Sequence, residues 1–157
     1  MEHEDEARSA QRSGVFQILS GSDTEIGYAI DDVVQDLYEF SQLRGPAAER
    51  FRRLFAADAR IFGPEDSRGT LGYSVEEFIE IRANDGAPPE RELSRRTDSY
   101  GGMAQVLSTF ERGGASSQAR GLNSVHLRHD GARWWIVSLV WTLEDPARPL
   151  PSRYLRR

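Results

Sequence analysis

The 157-residue chain contains no cysteine and no lysine. The first absence excludes disulfides, thiolate catalysis, cysteine-ligated zinc and iron–sulfur clusters. The second excludes a Schiff-base or general-base lysine and leaves all 20 basic residues as arginine. No apolar stretch approaches the ~20 residues that a membrane-spanning helix needs, and the opening MEHEDEARSAQRSG is acidic with no apolar run. These features point to a soluble, cytoplasmic protein with no membrane partner. A net charge of −5 argues against a nucleic-acid partner, because phosphate recognition needs clustered positive charge. The one dense basic run, Arg50 with Arg52 and Arg53, sits among helix formers and reads as a solvated helix face.

What is present fits one domain, since a chain of this size buries about two-thirds of its unfolded surface. Residues 1–21 read as a mobile leader with a short apolar anchor, Val15 to Leu19, and 22–157 as the domain. Ser22 and Glu25 have the spacing of a capping box ahead of Ile26, Ala29, Ile30, Val33, Val34, Leu37 and Phe40, which predicts a long amphipathic helix with Tyr38 at the edge of its stripe. Gly45-Pro46 starts a second helix with the stripe Ala47, Phe51, Leu54 and Phe55. After a short strand at 59–62, Ser74 and Glu77 form another capping box, and Asn84-Asp85-Gly86 stops that third helix. Four strands are expected at about 91–99, 103–112, 118–129 and 132–143, the last two joined by a tight turn at Asp130-Gly131. Helices first and an antiparallel meander after them is an α+β arrangement.

Several stretches carry a resemblance: LFAADARI at 54–61, EREL at 90–93, VLSTFE at 106–111, ARGLNS at 119–124 and DGARWWIVS at 130–138. Over roughly residues 24 to 155 the chain resembles the nuclear-transport-factor-2-like, or cystatin-like, superfamily, and within it bacterial proteins of unknown function. The resemblance implies a cone-shaped fold with three N-terminal helices packed on a curved, mainly antiparallel sheet around a pocket. Ketosteroid isomerase belongs to the same superfamily. It works with a carboxylate base and an oxyanion hole made by a tyrosine and a protonated aspartate. The tyrosine matches Tyr38, but the base falls at Gly63 and the aspartate at Val125. An enolising isomerase without its base lacks the group that removes the proton, and Asp58 or Glu65 could supply one only from a different geometry.

The same overlay sets strand parity. Val106, Ser108, Phe110, Asn123, Val125, Leu127, Trp135, Val137, Leu139 and Trp141 are expected inside. Trp134, Ile136, Ser138 and Val140 are expected on the outer face, too apolar for water and therefore the interface of a homodimer. Tyr38, Ser108, Phe110, Asn123, Val125 and Trp141 are the candidate ligand-binding residues. Arg95, Arg96 and Arg120 could bind a carboxylate and Glu92 and Glu111 could act as acid or base, although cross-strand ion pairs account for all five more simply. His126 and His129, three apart on a strand, point to opposite faces, and no metal or other cofactor is expected. No serine lies in a Gly-x-Ser-x-Gly turn. Two function classes stay open. One is a protein binding a small, largely apolar ligand, in its catalytic form a lyase or isomerase using general acid/base chemistry. The other is a non-catalytic dimeric module whose core is filled by its own aromatics.

Overall fold

The computed structural model describes residues 22–39, 43–64, 71–86, 88–113 and 119–156. The expected leader, Phe40 and Glu65 lie outside the described residues. Helix α1 (Asp23–Glu39) starts on the expected box: Glu25 N donates to Ser22 Oγ at 3.2 Å and Ser22 N donates to Glu25 Oε2 at 3.0 Å. It buries Ile30, Val34 and Leu37, with Ile26, Val33 and Tyr38 packed at the margin of the core, while Ala29 is exposed.

Helix α2 (Pro46–Arg52) follows Gly45, whose φ of 58° is left-handed and suits glycine. This helix is shorter than its apolar stripe. Leu54 lies in the turn after it and Phe55 opens strand β1 (Phe55–Phe62), because both side chains reach the core from an extended backbone as well as from a helical one. Strand β2 (Tyr73–Ser74) leads into helix α3 (Val75–Asp85), which has the reciprocal Ser74–Glu77 box at one end and left-handed Gly86 at the other. Four long strands complete the chain: β3 (Glu90–Tyr100), β4 (Met103–Arg112), β5 (Ala119–His129) and β6 (Trp134–Leu143).

The sheet is curved and open, in the order β2-β1-β6-β5-β4-β3, antiparallel except where β1 runs parallel to β6. The β5–β6 connection is a four-residue loop, not the two-residue turn expected. Asp130 explains the difference. Its Oδ1 accepts from Ala132 N and Arg133 N at 2.8 and 2.9 Å, and its Oδ2 accepts from Trp135 Nε1 at 2.8 Å, so the carboxylate organises two further residues before β6 begins.

On β6 the expected parity holds only past the middle. His126 pairs with Ser138 but Leu127 pairs with Ile136, so Val137 is a bulge residue and the alternation slips there by one. Trp134 and Ile136, 4% and 0% exposed, therefore lie in the core and cannot form the expected outer interface; Trp135 and Val137, expected inside, are only half-buried. Leu139 and Trp141 do face inward, and Ser138 and Val140 remain outside. Thr109 is outward by parity yet 1% exposed, because the C-terminal segment crosses it: Thr109 Oγ1 donates to Tyr154 O at 2.8 Å and Ser94 Oγ to Arg156 O at 2.7 Å. None of the described helices is long and apolar enough to cross a membrane.

Candidate functional site

The side chains of α1, β4 and β5 that face one another form a directed chain of hydrogen bonds. Asn123 Nδ2 donates to the Tyr38 hydroxyl at 3.0 Å, and that hydroxyl lies 2.7 Å from Ser108 Oγ. Ser108 Oγ in turn donates to Glu92 Oε2 in a short contact, which fixes the remaining order: the Ser108 proton is committed to the carboxylate, so Tyr38 is the donor to Ser108. Glu92 is also gripped by Arg95, whose Nε and a terminal nitrogen reach its two oxygens at 2.9 and 2.6 Å, and Arg95 continues to Asp31 Oδ1 at 2.8 Å. Burial pushes the Tyr38 phenol well above its ordinary value of 10; the bonds to Ser108 and Asn123 oppose this and the fields of Glu92 and Glu90 add to it. Tyr38 is thus a neutral phenol whose proton points into the protein.

Little space is left beside this chain. A cavity of about 30 Å³, bounded by Leu37, Tyr38, Arg82, Glu90, Asn123, Leu139 and Trp141, is large enough for a water molecule and not for an organic ligand. Of the six residues expected to bind a ligand, the structure brings Tyr38, Asn123 and Trp141 to its wall. Ser108, Phe110 and Val125 are each 0% exposed and line neither this cavity nor the larger one described next.

Trp141 is the partition. It sits opposite Asn123 on β6, with its indole against the backbone of Gly63, where a β-carbon would come within 2.8 Å of Cζ2. A side chain at position 63 and the indole would compete for the same volume. Beyond Trp141 lies a cavity of about 350 Å³ walled by Ile61, Tyr73, Phe78, Ile81, Pro88 and Trp141. Its polar groups are Arg82 and Asp85 on α3 and Arg112 at the end of β4. Arg82 and Arg112 both donate to Glu90 Oε1, at 2.9 and 2.7 Å.

These arginines were not among the residues singled out from sequence. The signal that could have found them is register: Glu90 and Arg112 are direct cross-strand partners, and Arg82 occupies the last turn of the helix that precedes them. Of the acids and arginines expected from sequence, Glu92 pairs with Arg95, Glu111 with Arg91 and Arg120 with Glu144, while Arg96 is exposed on β3. Asp58 is exposed on β1. His129 Nδ1 accepts from Gly131 N at 3.0 Å, and no group of three potential metal ligands occurs among the described residues.

No family model and no curated protein matches the sequence. Solved structures match it closely in shape. A nuclear-transport-factor-2-like protein of unknown function from Shewanella baltica is 18% identical, covers 80% of this chain and 99% of its own, and has a TM-score of 0.63. A protein of unknown function with a cystatin-like fold from Nostoc punctiforme is 14% identical, with 80% and 95% covered and a TM-score of 0.59. The chain has the nuclear-transport-factor-2-like fold. A candidate ketosteroid isomerase from Parabacteroides distasonis shares it at 13% identity, with 73% and 87% covered and a TM-score of 0.56. At such identities the fold is what is shared, and activity in this fold has to be argued from the site.

Proposed function

We propose that this nuclear-transport-factor-2-like protein binds a small organic molecule in the cavity between α3 and the Trp141 end of the sheet. In this reading the helices and the curved sheet form a cone, and the ligand occupies its mouth while the interior is filled by protein. The supporting observation is the contrast in free volume: about 350 Å³ outside Trp141 against about 30 Å³ inside it, where ligand pockets start at roughly 300 Å³. Steroid-isomerase chemistry has no support at positions 63 and 125, which hold glycine and valine. A lyase or isomerase reaction would have to draw on Asp85 and Glu90, and both are in ion pairs with Arg82.

A thermal-shift screen of small aromatic and aliphatic compounds tests the reading when paired with Ile81→Trp. Ile81 lines the outer cavity and is 44% exposed, so an indole there fills the cavity at little cost to folding. Hits that stabilise the wild type and lose their effect in Ile81→Trp support the outer site. Hits indifferent to Ile81→Trp defeat it.

Assembly is the second reading, favoured by the outer sheet face. By pairing, Tyr100, Met103, Leu107, Ser138 and Val140 share that face, and Tyr100, Met103 and Val140 are 87%, 66% and 48% exposed. The partner proposed there is a second copy of the chain, held through Leu107 and Val140 instead of Trp134 and Ile136.

A further inference from the structure

We propose that the outer cavity selects ligands bearing a carboxylate, held between Arg82 and Arg112; this rests on the reading of that cavity as a small-molecule site. Two guanidinium groups converge on one oxygen of one carboxylate, Glu90 Oε1. The three side chains are only 13%, 14% and 11% exposed, so solvent does little to satisfy them. Arg112 Nε is buried with no hydrogen-bond partner among the described residues. A guanidinium carries five donors and no acceptor, and leaving charged donors unpaired away from water is costly. At the cluster's centre two guanidinium groups thus share a single acceptor oxygen.

The second carboxylate in reach pairs with Arg82 from a greater distance. Asp85 Oδ2 is 3.6 Å from Arg82, beyond hydrogen-bond distance, and sits at the exposed rim. Both guanidinium carbons lie near the Trp141 ring, at 5.7 Å for Arg82 and 5.3 Å for Arg112, which fixes them at the cavity wall by cation–π attraction. A planar carboxylate in the cavity would accept from the guanidinium N–H groups of Arg82 and Arg112 that face it. The remaining wall is largely apolar, with Ile61, Phe78, Ile81 and Pro88 beside Tyr73, and asks for an aryl or short alkyl body. Asp85 at the rim disfavours a dianion such as a phosphate ester. The ligand class is thus a hydrophobic monocarboxylic acid.

Calorimetric titration with 3-phenylpropanoate and its neutral analogue 3-phenylpropanamide tests this. The acid should bind at least about tenfold more tightly than the amide, and the preference should disappear in Arg112→Gln. Should that variant fold poorly, Glu90→Gln offers an independent arm: freeing both arginines from their shared partner should tighten acid binding several-fold and leave the amide unchanged. Equal affinity for acid and amide overturns the carboxylate assignment while the pocket reading stands. A preference that survives Arg112→Gln, or acid binding that fails to tighten in Glu90→Gln, also overturns it. So does displacement of the acid by inorganic phosphate at equal concentration, which would mark a general anion site. If neither probe binds, the carboxylate assignment falls, and the pocket reading falls with it only if the Ile81→Trp screen fails too.

Discussion

The two polar clusters near Trp141 are built from similar residues and end in opposite states. In one, Asn123 donates to Tyr38, Tyr38 to Ser108 and Ser108 to Glu92, while Arg95 donates to both Glu92 and Asp31. In the other, Arg82 and Arg112 share one oxygen of Glu90, Arg82 reaches both cavities, and Arg112 Nε has no partner among the described residues. The first arrangement saturates itself and excludes a ligand; the second has donors to spare beside open volume. Polarity alone does not mark a binding site, whereas an imbalance of donors over acceptors does.

This comparison is most easily broken in the packed half. Phe110→Ala and Trp134→Ala should each cost about 3–5 kcal/mol in urea unfolding, because both rings lie in the interior, 0% and 4% exposed. Ile81→Ala at the outer cavity should change stability by no more than about 0.5 kcal/mol. If Phe110→Ala were as mild as Ile81→Ala, the inner region would not be the packed core described above.

Tyr38→Phe should cost about 1–3 kcal/mol, since Asn123 and Ser108 lose their partner inside the protein. It carries a pH signature as well. The folded state raises the Tyr38 pKa, so its contribution is complete below pH 10 and is lost as pH rises through the folded value. The stability gap between wild type and Tyr38→Phe should therefore narrow above pH 10 in denaturant titrations. A constant gap would mean that the phenol is not held neutral by its surroundings.

Smaller effects are expected at the surface. Val140→Glu should leave the melting temperature nearly unchanged and shift the mass seen in light scattering from dimer to monomer; an unchanged dimer would remove Val140 from the proposed interface. Smallest is Asp130→Asn. Bonds from the Arg133 and Ala132 amides and the Trp135 indole hold this carboxyl at about 2, below its ordinary 3.8. Its contribution is present above pH 3.8 and is lost as pH falls through about 2. Wild type should lose stability over that window more steeply than the variant.

Much of the fold was legible because its signals are local. Both capping boxes, the Gly86 stop and the order of helices and strands come from spacing that acts within a few residues. The bulge at Val137 was not legible, since a run of Trp, Ile, Val and Leu reads equally well in either parity, and only pairing with β5 shows where it slips. That one residue moved Trp134 and Ile136 from an expected interface into the core. The inner polar residues Tyr38 and Asn123 could be picked out by overlaying related sequences. Arg82, Glu90 and Arg112 could not, because their meeting depends on how α3 closes against the β3–β4 edge, which no short-range pattern encodes.

The most direct test of an outer binding site is the set of indole N–H signals in two-dimensional NMR. Trp134 is buried in the core, Trp135 is bonded to Asp130, and Trp141 alone of the three lines the cavities; Trp141→Phe assigns its signal. Titration with 3-phenylpropanoate should move the Trp141 indole signal progressively and leave those of Trp134 and Trp135 in place. A titration that leaves Trp141 unmoved, or that shifts Trp135 instead, would contradict ligand binding beside Trp141.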